Sequence, residues 1–246
     1  MSFACIHRVV FHHCKSANYG GGFAAYDTVT ANRVCCQYCS STIYGQAFYA
    51  QGCSMKLISV YYCPGQGDSS FDDCCTFNTP NCSLNNINCS SCYLSGSGSV
   101  FQFYPNANAD ISFFSVTQCS GACWAEVYET QPTTVFRHGN INSIHCAHSF
   151  LLFSQTVTMD DCYITGITGS LKLTVQGGSL IITNSVIDPW LAPCAKNSKT
   201  SGPSHTVHLL NTADCNAVYF PTDEFSEGRA GKVIEVLLSL SLLINQ

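Results

Sequence analysis

The sequence predicts an all-β protein built as a parallel solenoid of about eight stacked coils. One short pattern recurs along the chain, and the composition suits short strands and turns rather than helices. The 246 residues carry 10 Lys and Arg and 15 Asp and Glu, about 10% charged. An ordinary soluble domain carries roughly a quarter. Ser, Thr and Asn number 29, 19 and 16. Small neutral polar residues in that amount favour strands and tight turns, and a helix bundle would instead draw on Glu, Lys, Ala and Leu.

The recurring pattern is apolar-x-apolar-x-x-Cys. It runs Val9 to Cys14, Val34 to Cys39, Ile58 to Cys63, Ile87 to Cys92, Phe114 to Cys119, Ile141 to Cys146 and Val157 to Cys162. An eighth copy, Leu180 to Ser185, has Ser in the cysteine place. The steps between these anchors are 25, 24, 29, 27, 27, 16 and 23 residues. Steps in the low twenties with loops of unequal length are those of a β-solenoid. The step of 16 is short for a full coil, so either a strand is missing there or one anchor is misplaced.

Each coil reads the same way. Two apolar residues at period two, such as Val9 and Phe11 or Ile58 and Val60, form a strand with an inside and an outside. The two mostly polar residues that follow, such as His12-His13 or Asp160-Asp161, form a corner, and the cysteine then faces inward. Nine residues past the anchor a second apolar pair begins: Phe23 and Ala25, Phe48 and Ala50, Phe101 and Phe103, Leu171 and Leu173. Stacking places the anchor thiols in one inward ladder, where they act as small hydrophobes. That accounts for Cys14, Cys39, Cys63, Cys92, Cys119, Cys146 and Cys162 among the 18 cysteines.

The cysteine corner, the Gly21-Gly22-Phe23 strand and the Ser- and Asn-rich loops resemble the right-handed parallel β-helix proteins of the pectate-lyase-like superfold. They are most similar to the cysteine-rich β-helix proteins of trichomonad protists. The resemblance spans residues 3 to 190 and implies a right-handed solenoid, a surface or secreted setting and no assigned chemistry. The β-helix domain is placed at 3–220. Residues 221–246, with the apolar run Val233 to Ile244, are read as a capping segment or a shortened membrane anchor, since 12 residues fall short of the roughly 20 that span a bilayer. The N-terminus lacks the basic and apolar regions of a secretory signal. Taken literally, that places the chain in the cytosol, whereas the resemblance places it at the surface.

A net charge of −5 and the lack of any Lys or Arg between Lys56 and Arg137 leave no electrostatic groove for nucleic acid. The same superfold hosts polysaccharide lyases and glycoside hydrolases, so Asp72-Asp73, Asp160-Asp161 and Arg137-His138-Gly139 are the catalytic candidates. The other polygalacturonase motifs are absent, and no catalytic residue is carried over. Cys36-x-x-Cys39 and Cys89-x-x-Cys92 have zinc-knuckle spacing. They occupy slots that hold Phe, Val, Met or Ile in other coils, so packing is expected and neither metal nor cofactor is. The outward corner row His13, Tyr38, Tyr62, Ser91, Gln118, His145, Asp161 and Asn184 is partly aromatic. From it, His13, Tyr38, Tyr62, His145 and Asp161 are taken as candidate contacts to a glycan or protein partner. The expected role is a non-catalytic surface or scaffold module. A carbohydrate-active enzyme on the same fold is the alternative, and the oligomeric state stays open.

Overall fold

The computed structural model describes residues 3–65, 73–78, 81–95, 98–104, 108–127, 134–153, 156–170, 173–175, 179–190, 196–199 and 212. It is a parallel β-solenoid with almost no helix. One face is a long sheet whose strands follow in chain order: Phe3–His12, Thr28–Gln37, Cys53–Tyr61, Asn81–Ser90, Asn108–Thr117, Thr134–Asn142, Val157–Asp160, Leu180–Thr183 and Lys196–Lys199. The facing sheet stacks Phe23–Ala25, Phe48–Ala50, Cys75–Phe77, Ser99–Phe103, Cys123–Val127, Leu151–Phe153 and Leu173–Val175. Short ladders such as Ser120–Gly121, His145–Cys146 and Thr168–Gly169 form a third side. The expected second strands at Phe23, Phe48 and Phe101 are therefore present, whereas Leu171 lies outside the described residues.

About six full turns are formed, fewer than the eight anchors suggested. The last anchor, at Ser185, starts a coil that among the described residues has strands on the long sheet only. The segment 221–246 lies outside the described residues. Among the described residues no helix is long and apolar enough to cross a membrane.

The register explains the step of 16. The described non-glycine residues with positive φ, together with Gly166, fall into two ladders, one at each end of a bend in the long strands. The first holds Arg8, Arg33, Leu57, Asn86, Phe113, His138, Asp161 and Asn184; the second, five residues further along, holds His13, Tyr38, Tyr62, Ser91, Gln118, Ser143 and Gly166. The first ladder advances by 25, 24, 29, 27, 25, 23 and 23 residues, with no short step. Cys162 and Ser185 follow the first corner, in the inward row of Val34, Ile58, Ile87, Phe114 and Gly139. Only Cys14, Cys39, Cys63, Cys92 and Cys119 follow the second. In the next two coils Ile144 and Ile167 take that place, and Cys146 sits two residues beyond it.

One local bond makes the two corners alike. The thiol after a left-handed residue turns back toward the carbonyl two residues earlier: Cys39 to Gln37 at 3.4 Å, Cys119 to Thr117 at 3.3 Å and Cys162 to Asp160 at 3.3 Å. Ser185 makes the same bond to Thr183 at 2.6 Å. A small inward residue with a donor thus closes either corner, which is why both carry Cys or Ser.

The core lies between the two sheets. Phe23 and Phe48 stack at 5.1 Å, and Phe77 and Phe103 at 4.9 Å. Trp124 and Phe136, both fully buried, meet edge to face at 5.0 Å. Thiols fill the space toward the second corner: Cys74 lies 3.5 Å from Cys92, and Cys75 lies 3.9 Å from Cys89. Fifteen described cysteines are free, and Cys35 is disulfide-bonded.

Candidate functional site

The candidate site is an aromatic edge along the second corner. The left-handed backbone at His13, Tyr38 and Tyr62 points three successive side chains out of the stack. Parallel coils repeat about every 4.8 Å, so like residues at one corner are brought to ring-contact distance. His13 and Tyr38 stack at 4.7 Å with an interplanar angle of 12°, and Tyr38 lies 5.3 Å from Tyr62. Neighbours from the adjacent rows extend the group. His12 packs edge-on to His13 at 4.3 Å, Tyr61 to Tyr38 at 5.7 Å, and Tyr93 to Tyr62 at 5.8 Å. Tyr62 is 40% and Tyr93 50% exposed, whereas Tyr38 is half-buried and shares its stacked face with His13.

His12, Tyr61 and Tyr93 were not among the sequence candidates. The signal was available for His12 and Tyr61, each directly before a corner residue. Tyr93 follows its anchor and could be placed only by knowing where the chain turns next.

The other two candidates do not belong to this edge. His145 stands two residues past the corner, where Ser143 has the positive φ. It is exposed on the third side, with Nδ1 3.2 Å from the Thr168 hydroxyl. The misplaced anchor at Cys146 is what put it in the row. Asp161 is 3% exposed on the first corner, and its Oδ2 lies 2.8 Å from His138 Nδ1. It holds an interior position and presents no face to a ligand at the aromatic edge.

A second grouping surrounds that first corner. Arg137 donates through Nη1 to Asp110 Oδ1 at 2.6 Å, and in the register Arg137 lies beside Asp160 on the following coil. Asp160 Oδ1 accepts from the Thr183 hydroxyl at 2.5 Å and from Asn184 Nδ2 at 2.9 Å. Phe113 stacks on His138 at 4.7 Å. A chain so poor in charge thus collects Asp110, Arg137, His138, Asp160 and Asp161 on three neighbouring coils. Asp72 lies outside the described residues. Asp73 is buried and accepts from the Ser99 backbone and hydroxyl, both at 2.8 Å.

The outward face between the two corners is closed off. Cys35, Ser59, Asn88 and Ser115 form one row and are all buried, although alternation points them away from the core. Thr212 lies against this face, accepting from Gln37 Nε2 at 3.5 Å and meeting the Ser90 hydroxyl. Period-two reading assigns outward residues to solvent, and a covering contact from 122 residues away leaves no local signal.

Among the described residues no three His, Cys, Asp or Glu side chains converge to hold a metal ion. Compared with protein-family models, curated proteins and solved structures, the chain matches none of them.

Proposed function

We propose that this protein is a non-catalytic β-solenoid module that binds a neutral glycan along its aromatic edge. The carrying observation is the continuous run of ring contacts His13, Tyr38, Tyr62 and Tyr93 on successive coils, exposed at His13, Tyr62 and Tyr93 and half-buried at Tyr38. Aromatic rings on a rigid backbone suit the apolar faces of sugar rings, and Tyr62 and Tyr93 leave the most ring area in water. They are held without the entropy cost of a mobile loop. The pectate-lyase-like affinity of the cysteine corners, a surface setting and an adhesive role belong to the same proposal. Glycan-array binding by the full chain tests it. The Tyr38→Ala and Tyr62→Ala double variant is expected to lose at least tenfold in affinity while its far-ultraviolet spectrum is unchanged. Undiminished binding by that variant removes the edge from consideration.

A second reading, a carbohydrate-active enzyme, draws on Asp110 and Asp160 flanking Arg137. In the register Asp110 lies beside Val135 and Asp160 beside Arg137, so the two residues are two strands and two positions apart, about 12 Å between backbones at the ordinary spacings, which their side chains would have to shorten. Inverting glycosidases separate their two carboxyl groups by roughly 6.5–9.5 Å. Reducing-end release from neutral and uronic oligosaccharides, compared with the Asp160→Asn and Asp110→Asn variants, tests this reading. Turnover abolished by either variant would support it, and no turnover across the panel would exclude it.

A further inference from the structure

We propose that Cys53 and Cys82 are a redox modification site, closing into a disulfide that staples one coil to the next when a two-electron oxidant of the peroxide class is present. The two residues are register partners on adjacent parallel strands of the long sheet. Their sulfurs are 2.8 Å apart, whereas Cys74 and Cys92 stand at 3.5 Å, and Cys75 stands at 3.9 Å from both Cys74 and Cys89. In-register partners on neighbouring strands are about 4.8 Å apart. That backbone spacing falls inside the roughly 4.4–6.8 Å that a disulfide bridges. No backbone movement is therefore needed to form the bond.

The pair also sits apart from the thiol cluster near the second corner. Its inward row runs Val29, Cys53, Cys82 and Ala109, so each sulfur has its partner on one side and an apolar side chain on the other. Both thiols are buried but not sealed, with 6% of Cys53 and 3% of Cys82 exposed. Burial raises the Cys82 thiol, and Cys53 beside it raises it further, so the proton of Cys82 is retained. Cys53, the more exposed, is the attacking sulfur. Its thiolate attacks one oxygen of hydrogen peroxide, the O–O bond breaks, and the other oxygen leaves as water after protonation. The sulfenic acid left on Cys53 is attacked by the sulfur of Cys82, the S–O bond breaks, and a second water leaves as the S–S bond forms. Two thiols and one peroxide give one disulfide and two waters.

Peptide mapping tests the proposal on the full chain, as isolated and after reduction followed by peroxide. Thiols are alkylated before digestion without reductant. The expected first cross-link joins the peptides containing Cys53 and Cys82, lighter by two hydrogens and lost on dithiothreitol treatment. In the Cys53→Ser variant that peptide disappears and Cys82 is recovered alkylated. The wild-type map decides the matter even where the variant folds poorly. Recovery of Cys53 and Cys82 as alkylated thiols after other cysteines have cross-linked overturns it, as does Cys53 joined to any other cysteine.

Discussion

Among the described residues fourteen other than glycine hold a positive φ, including Leu57, Phe113 and Tyr62. Such conformations cost roughly 1–2 kcal/mol each for residues with a Cβ. They persist because neighbouring coils dictate the backbone at each corner, each left-handed residue lying above another. Glycine enters for a different reason at Gly139, whose inward place lies directly over the ring of Phe114. A Cβ there would stand 2.1 Å from the Phe114 ring carbons. Phe114 is fully buried against Trp124 and Phe136 and has nowhere to retreat. Gly139→Ala is therefore expected to cost roughly 1–3 kcal/mol by overpacking. At about 2–4 °C per kcal/mol for a chain of this size, thermal unfolding would fall by several degrees. An unchanged midpoint by circular dichroism would mean that the ring is free to move.

At the scale of the element, strand and ladder were legible from the sequence and the alignment of the later coils was not. Inward pairs such as Val34 and Cys36, or Ile58 and Val60, alternate as period two requires, and all four are fully buried. The second strands were legible because Phe recurs at a constant distance from the anchor. The anchor itself was ambiguous, since one bond from a Cys or Ser back to a carbonyl closes two different corners five residues apart. Cys162 therefore looked like a second-corner residue while standing at the first. That slip carried Asp161 into a row it does not join, and the true sixth anchor, Ile144, went unseen because it carries no thiol. The aromatic edge was legible in coils one to three, where the anchors were right. The grouping of Asp110 with Arg137 and Asp160 was not, because it depends on which residue of one coil lies beside which of the next.

The whole molecule sets burial of thiols against scarcity of charge, and this sets its response to alkali. Burial pushes Cys146 and Cys162 up to about 12 and raises Cys119 and Cys123 in the same direction. An ordinary thiol titrates near 8.5. Below that value both the folded and the unfolded chain keep these protons, and the thiols contribute their full stability. Above it the unfolded chain releases protons that the folded chain holds, so stability falls with rising pH until the folded values near 12 are reached. Each such thiol lowers stability by about 1.4 kcal/mol per pH unit in that window. With four of them acting together, the urea midpoint is expected to drop steeply between about pH 8.5 and 9.5. Blocking the thiols after unfolding at each pH separates this effect from disulfide exchange. A midpoint that stays level from pH 8.5 to 9.5 would mean that the interior does not hold Cys119, Cys123, Cys146 and Cys162 as protonated, buried packing residues.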